Sequence, residues 1–164
     1  VGLRDGPLHA ELRTNEHGPW MVELAGRSIG GLCSSVLEFG AGVSLEELIL
    51  RQALGLDTPT ERRSEAAAVM MIPIPAGGWL KEVHGIDEAK QVSLIQDVTI
   101  SVRLNQRIVP LPEGASYLGF IFAKGAAPAE VEEALRQAHQ KLSFRIEPEL
   151  PLLNSKHQIP STAR

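Results

Sequence analysis

The chain has 164 residues, 43% of them hydrophobic and 22% charged, with a formal net charge of -4 at pH 7. That length and balance suit one globular domain or two small ones whose core needs no disulfides, and the acidic balance, with no run of Lys and Arg, speaks against a nucleic-acid surface driven by bulk charge. No apolar stretch approaches the roughly 20 residues of a membrane span, and the single cysteine, Cys33, cannot form an internal disulfide. The expected setting is therefore reducing and cytoplasmic, with no membrane or nucleic-acid partner. In its apolar Gly-Gly-Leu-Cys run the thiol reads as buried and inert rather than nucleophilic. The sequence opens Val1-Gly2-Leu3 without an initiator Met and enters a strand almost at once, which reads as a piece of a longer protein.

Two alternating segments, residues 8–13 and 20–24, flank the turn-rich Asn15-Glu16-His17-Gly18 and predict a β-hairpin with a loop slightly longer than the tightest kind. With the loop centred on His17, Glu11 falls directly opposite Glu23. Like charges on directly opposed positions repel, so the pair makes sense if a cation lies between them. Magnesium is the natural candidate, since it takes hard oxygen ligands and is held by one or two carboxylates plus substrate phosphates. Arg27, four residues past Glu23, could clamp a phosphate or carboxylate nearby, and His9 shares strand parity with Glu11. The bland alternative is a hairpin with one wet, charged face on which these side chains carry no chemistry.

After the hairpin, Ser28 can cap a helix running through Leu32, Val36 and Leu37, with Gly30 and Gly31 in its first turn, where free amides and the helix dipole would receive an anion; a glycine pair that merely permits tight packing is the other reading. Ser44 with Glu47 forms a capping box for the next helix, which carries Leu45, Leu48, Ile49, Ala53 and Leu54, stops at Gly55, and reads as core scaffolding. Residues 57–64 break the apolar pattern and read as a linker. Beyond it, residues 66–74 predict a buried strand ending in a Pro75-Ala76-Gly77-Gly78 hairpin turn, with 79–83 as its partner. Gly85-Ile86-Asp87 leads into a short helical turn. Residues 92–104 contain a long strand alternating at Val98, Ile100 and Val102, and 117–123 another, central one. A helix opens at Pro128, is lined by Val131, Leu135, Ala138 and Leu142, and ends at Lys141 in accord with its dipole. A last strand is expected over 142–146, and a poorly ordered tail from 147 to 164. The histidines at 9, 17, 84, 139 and 157 have no zinc-site spacing, and no P-loop, nucleophile elbow or C-x-x-C pair occurs.

The string H-A-E-L-R, a turn, then G-P-W-M-V-E-L-A-G-R-S-I-G-G and S-L-E-E-L-I-L-R-Q-A-L-G, resembles the C-terminal part of ATP-grasp enzymes, closest to the L-amino-acid ligase and carnosine-synthase branch. The likeness continues through M-M-I-P-I-P, Y-L-G-F-I-F-A-K-G and E-E-A-L-R-Q-A-H, covering roughly residues 1–146. It implies an α+β fold: an antiparallel sheet with packed helices over 1–58, the C-terminal half of an ATP-grasp fold, then a small mostly-β subdomain with one helix over 59–146. It implies an ATP- and magnesium-dependent carboxylate–amine ligase working through an acyl phosphate, with small-molecule carboxylate and amine substrates and a homodimer as a compatible assembly. By resemblance Glu11 and Glu23 are the metal ligands, Arg27 contacts the transferred phosphoryl group or substrate carboxylate, and Gly30, Gly31 and His9 line the substrate side. Ala25 stands where many members have an Asn as a further ligand, which leaves the number of metal contacts open. The lysines, glycine-rich loop and adenine strand of such enzymes lie in an upstream lobe, so the piece alone is expected to be inactive. Biotin-carboxylase-like chemistry and a non-catalytic packing or oligomerisation module are the alternatives.

Overall fold

The computed structural model describes residues 2, 4–39, 42–62 and 64–149. Strands β1 (His9–Asn15) and β2 (Gly18–Ala25) form an antiparallel hairpin. Its turn is fixed by Asn15, whose side-chain oxygen accepts from the His17 amide at 2.8 Å and from the Trp20 indole at 3.2 Å, an Asx arrangement that replaces backbone pairing in the turn. No residue of the hairpin is buried; Leu12, Trp20 and Met21 are all more than half exposed.

The helix expected from Ser28 does not form. Gly31 adopts φ +63, a left-handed value that an α-helix cannot contain, and the chain makes only a 3-10 turn at Cys33–Val36. Its serines compete for the backbone: the Ser35 hydroxyl donates to the Leu32 carbonyl at 2.6 Å, and a hydrogen bond from the Ser34 hydroxyl holds the Glu46 carboxyl below its usual range. Gly30 and Gly31 therefore lie in a loop and not at a helix start, and Cys33 is half-buried, not buried. Short strands β3 (Glu38–Phe39) and β4 (Val43–Ser44) lead into α1 (Leu45–Ala53), where Ser44 Oγ accepts from the Glu47 amide at 3.1 Å, as the capping box predicts. Gly55 closes the helix at φ +67. None of its residues is buried, so α1 is an amphipathic cover and not core. The expected linker is partly paired, through a bridge between Arg62 and Phe39.

The core lies further on. Among the described residues every buried apolar one falls between Ile72 and Ala138, held by two three-stranded antiparallel sheets. In the first, β9 (Gly119–Gly125) is central, with β5 (Ala66–Ile72) and β7 (Ile95–Ile100) on either side; in the second, β6 (Gly78–His84) lies between β10 (Ser143–Glu147) and β8 (Arg107–Ile108). Helices α2 (Ile86–Lys90) and α3 (Pro128–Lys141) pack on the first sheet. Lys90 reaches Asp97 on β7 at 2.9 Å, and this contact, with the Thr99 hydroxyl at 2.8 Å, keeps the Asp97 carboxyl below the ordinary carboxylate range.

The sequence places β9 and α3 correctly, including the Pro128 start and the buried stripe of Val131, Leu135 and Ala138. It misassigns the partner of β5. That strand pairs with β9, and β6 belongs to the other sheet, so the Gly77-Gly78 pair is a crossover between sheets and not a hairpin turn. Gly78 sits at φ +147 with its Cα against β10, where a Cβ would run into the carbonyl of Glu147. The long strand expected over 92–104 is cut to Ile95–Ile100: Leu94 at φ 71 precedes it, and beyond it a turn through Asn105 at φ 62 leads into the unforeseen β8. Glu147 ends β10 and Glu149 binds the Arg107 guanidinium, so those residues are structured; the rest of the expected tail, 150–164, lies outside the described residues.

Candidate metal and phosphate site

Glu11 and Glu23 are paired residues of the hairpin ladder, but the register arises differently from a loop centred on His17. Near the turn, Asn15 pairs with Gly18 and Leu12 with Met21; continued unbroken, that register would oppose Glu11 to Val22 and put the two glutamates on opposite faces. A bulge between Glu11 and Leu12 adds one residue, Val22, on β2, and thereby turns both carboxylates to the same side. Directly opposed residues have Cβ atoms about 4.5–5.5 Å apart, within reach of one shared cation. Both side chains are half exposed and open to water.

Each glutamate has a basic neighbour. Arg27 Nη2 lies 3.7 Å from Glu23 Oε1, and Arg27 Nη1 donates to the Ser28 carbonyl at 3.1 Å. His9 Nε2 is 3.4 Å from Glu11 Oε1. Gly30 belongs to the same group, since a Cβ there would stand 4.0 Å from Arg27 Nη1. Gly31 is turned elsewhere, since a Cβ there would meet the Phe120 ring at 3.5 Å and not the arginine. Of the expected site residues, Glu11 and Glu23 are ladder partners, His9 contacts Glu11, Arg27 contacts Glu23, Gly30 lies beside Arg27, and Gly31 faces the sheet. Among the described residues no cluster of three His, Cys, Asp or Glu side chains could hold a metal alone. Two carboxylates suit a magnesium ion that completes its shell with phosphate oxygens and water, whereas zinc would require a fuller set of N or S ligands.

A second charged group is assembled by the fold. Lys124, on β9, lies 2.9 Å from Glu65 and 3.5 Å from Glu38, and these contacts raise its pKa. They join three residues scattered over 86 positions, and no local spacing could have revealed them.

Residues 70–147 match the family model described as L-amino acid ligase C-terminal domain 2. The fold is similar to the crystal structure of L-amino acid ligase from Bacillus licheniformis, with 27% sequence identity and a TM-score of 0.72 over 89% of this chain and 37% of that one. It is also similar to phosphoribosylglycinamide synthetase from Anaerococcus prevotii (15% identity, TM-score 0.66) and N5-carboxyaminoimidazole ribonucleotide synthetase from Thermotoga maritima (15%, 0.63), each over 85% of this chain and 37% of the other. In sequence it is 24% identical over 161 residues to the uncharacterized protein y4rH of Sinorhizobium fredii, covering 98% of this chain and 34% of that protein. The chain therefore spans about a third of the length of these relatives. Among the described residues no helix is long and apolar enough to cross a membrane. The α+β layout and these likenesses together match the C-terminal part of ATP-grasp ligases, and residues 70–147 match the L-amino acid ligase C-terminal domain 2 model.

Proposed function

We propose that this chain supplies the metal-holding corner of an ATP- and magnesium-dependent carboxylate–amine ligase that joins amino-acid or dipeptide-type substrates through an acyl phosphate. The observation that carries the reading is the bulge-set register that opposes Glu11 to Glu23, with Arg27 3.7 Å from the latter. In this reading Glu11 and Glu23 hold magnesium, which when bound offsets the charge of the ATP phosphates. Arg27 stabilises charge developing on the transferred phosphoryl group or holds the substrate carboxylate, and Gly30 leaves room beside its guanidinium. His9 steadies Glu11. Gly31 shapes the loop that carries Arg27 and Gly30 by its left-handed conformation. A substrate carboxylate oxygen attacks the γ-phosphorus as ADP leaves, and an amine nitrogen then displaces phosphate from the acyl carbon.

Residues 1–58 would close the catalytic domain, and 59–146 would form the small subdomain behind it. The groups that grip the nucleotide would come from the two-thirds of such an enzyme that this chain does not span, so the chain alone would be inactive. The test is the affinity of the full-length protein for a non-hydrolysable ATP analogue. Magnesium should tighten binding in the native protein and should no longer do so in Glu11→Gln. An affinity indifferent to magnesium and to Glu11 would leave the hairpin as a scaffold whose carboxylates are incidental.

A further inference from the structure

A strand at the edge of a sheet offers unpaired backbone groups to any other chain, and proteins blunt such edges with charges, bulges or very short strands. In the second sheet β8 is two residues long, while β10 carries Arg145 and Glu147 and its register with β6 is broken by a bulge. In the first sheet β7 carries Asp97 and is bulged against β9. The opposite edge, β5, has none of these protections. Its seven residues, A-A-A-V-M-M-I, hold no charge and no proline, and its register with β9 runs unbroken from Ala66 to Ile72.

The two faces of β5 are partly covered. Ala66, Ala68 and Met70 pack toward the core, and Ala67, on the other face, lines a cleft with Leu32 and Val36. Among the described residues the ladder of β5 runs to β9 alone. Alternate residues of an antiparallel strand turn both backbone groups to one side, so about half of those in β5 direct N–H and C=O away from β9.

The order of sizes along the strand selects a partner. Three alanines precede Val69, and two methionines and an isoleucine follow it. Antiparallel pairing with a second β5, about a two-fold axis at Val69, sets each alanine against a long side chain. Ala68 then faces Met70 of the other copy, Ala67 faces Met71, and Ala66 faces Ile72. Moving the axis by one residue opposes alanine to alanine or methionine to methionine at the centre and leaves the strand ends unmatched. An axis perpendicular to the sheet keeps core-facing and outer residues on their own sides in both copies, and each copy uses the same patch, as closed two-fold dimers do.

We propose that β5 is a dimerisation edge that pairs with β5 of a second copy of this chain, joining their two three-stranded sheets into one continuous sheet with Val69 at the axis. Main-chain hydrogen bonds supply the affinity and the alternating side chains the register, as in other strand additions. The proposal rests on the strand itself and is independent of the hairpin reading.

The test follows the full-length protein by sedimentation velocity over a range of concentrations. The native protein should form a dimer. Val69→Lys and Val69→Glu each place like charges face to face at the axis, and each should weaken dimerisation at least about tenfold. An equimolar mixture of the two variants should regain it, since opposite charges then meet. Gln96→Lys, on the exposed part of β7, should dimerise as the native protein does. Hydrogen exchange of the unaltered protein gives a reading that no variant affects: amides within Ala66–Ile72 should exchange more slowly as concentration rises. A native monomer at every concentration, a dimer indifferent to Val69→Lys, or a mixture no better than either variant would each overturn the proposal. So would β5 amides whose exchange ignores concentration, the result expected if another part of the same chain covers the edge.

Discussion

In the full-length protein, Glu23→Ala is expected to abolish ATP-dependent ADP release while the fold is retained. Glu23 is half exposed on a hairpin without buried residues, and its removal relieves a like-charge opposition to Glu11, so nothing in the packing demands it. On the proposed reading its loss leaves one carboxylate to hold magnesium, and it frees Arg27 from its acidic partner. Losing a single preorganised electrostatic group commonly lowers turnover on the order of 10²–10³-fold, and the loss of half of the proposed metal-holding pair should be at least as severe. Glu16→Ala in the turn of the same hairpin should leave turnover unchanged, because Glu16 has no place in the opposed pair. Native turnover in Glu23→Ala would end the ligase assignment of this hairpin.

Ile121→Ala is expected to destabilise the chain by about 2–5 kcal/mol, the usual range for truncating a fully buried aliphatic side chain. Ile121 lies at the centre of β9, paired with Met70 on one side and Val98 on the other, and has no exposed surface. Leu48→Ala in α1 should cost about 1 kcal/mol, since that helix buries no residue fully and only part of a leucine's transfer energy is at stake. Chemical denaturation of the three proteins measures both. Equal losses would mean that α1 shares the core, contrary to the burial described above.

What was legible in the sequence follows from how local the determining forces are. The Pro128 start, the capping serine at 44 and the apolar stripe of α3 act within a turn or two of the backbone, and all appear where the pattern puts them. The hairpin was legible for the same reason, although its pairing was reached through a bulge that no local signal announces. The helix from Ser28 failed because a single left-handed glycine, Gly31, packed against the distant Phe120 ring, outweighs a capping serine. The partner of β5 was missed because strand pairing is decided by which strands can share a buried face. Pro73, Pro75 and the tight seat of Gly78 against β10 send the chain to a second sheet, where a short loop would ordinarily signal a hairpin. The Lys124 group joins residues far apart in the chain, and only the assembled sheet brings them together.

On the proposed reading Glu11 and Glu23 share one divalent cation. Manganese can replace magnesium in the full-length protein together with the non-hydrolysable ATP analogue, and its paramagnetism broadens nearby backbone amide signals. The signals of Glu11 and Glu23 should broaden together, and the broadening should vanish in the Glu11→Gln, Glu23→Gln double variant. Sharp signals at both positions, or broadening that persists in that variant, would contradict the account.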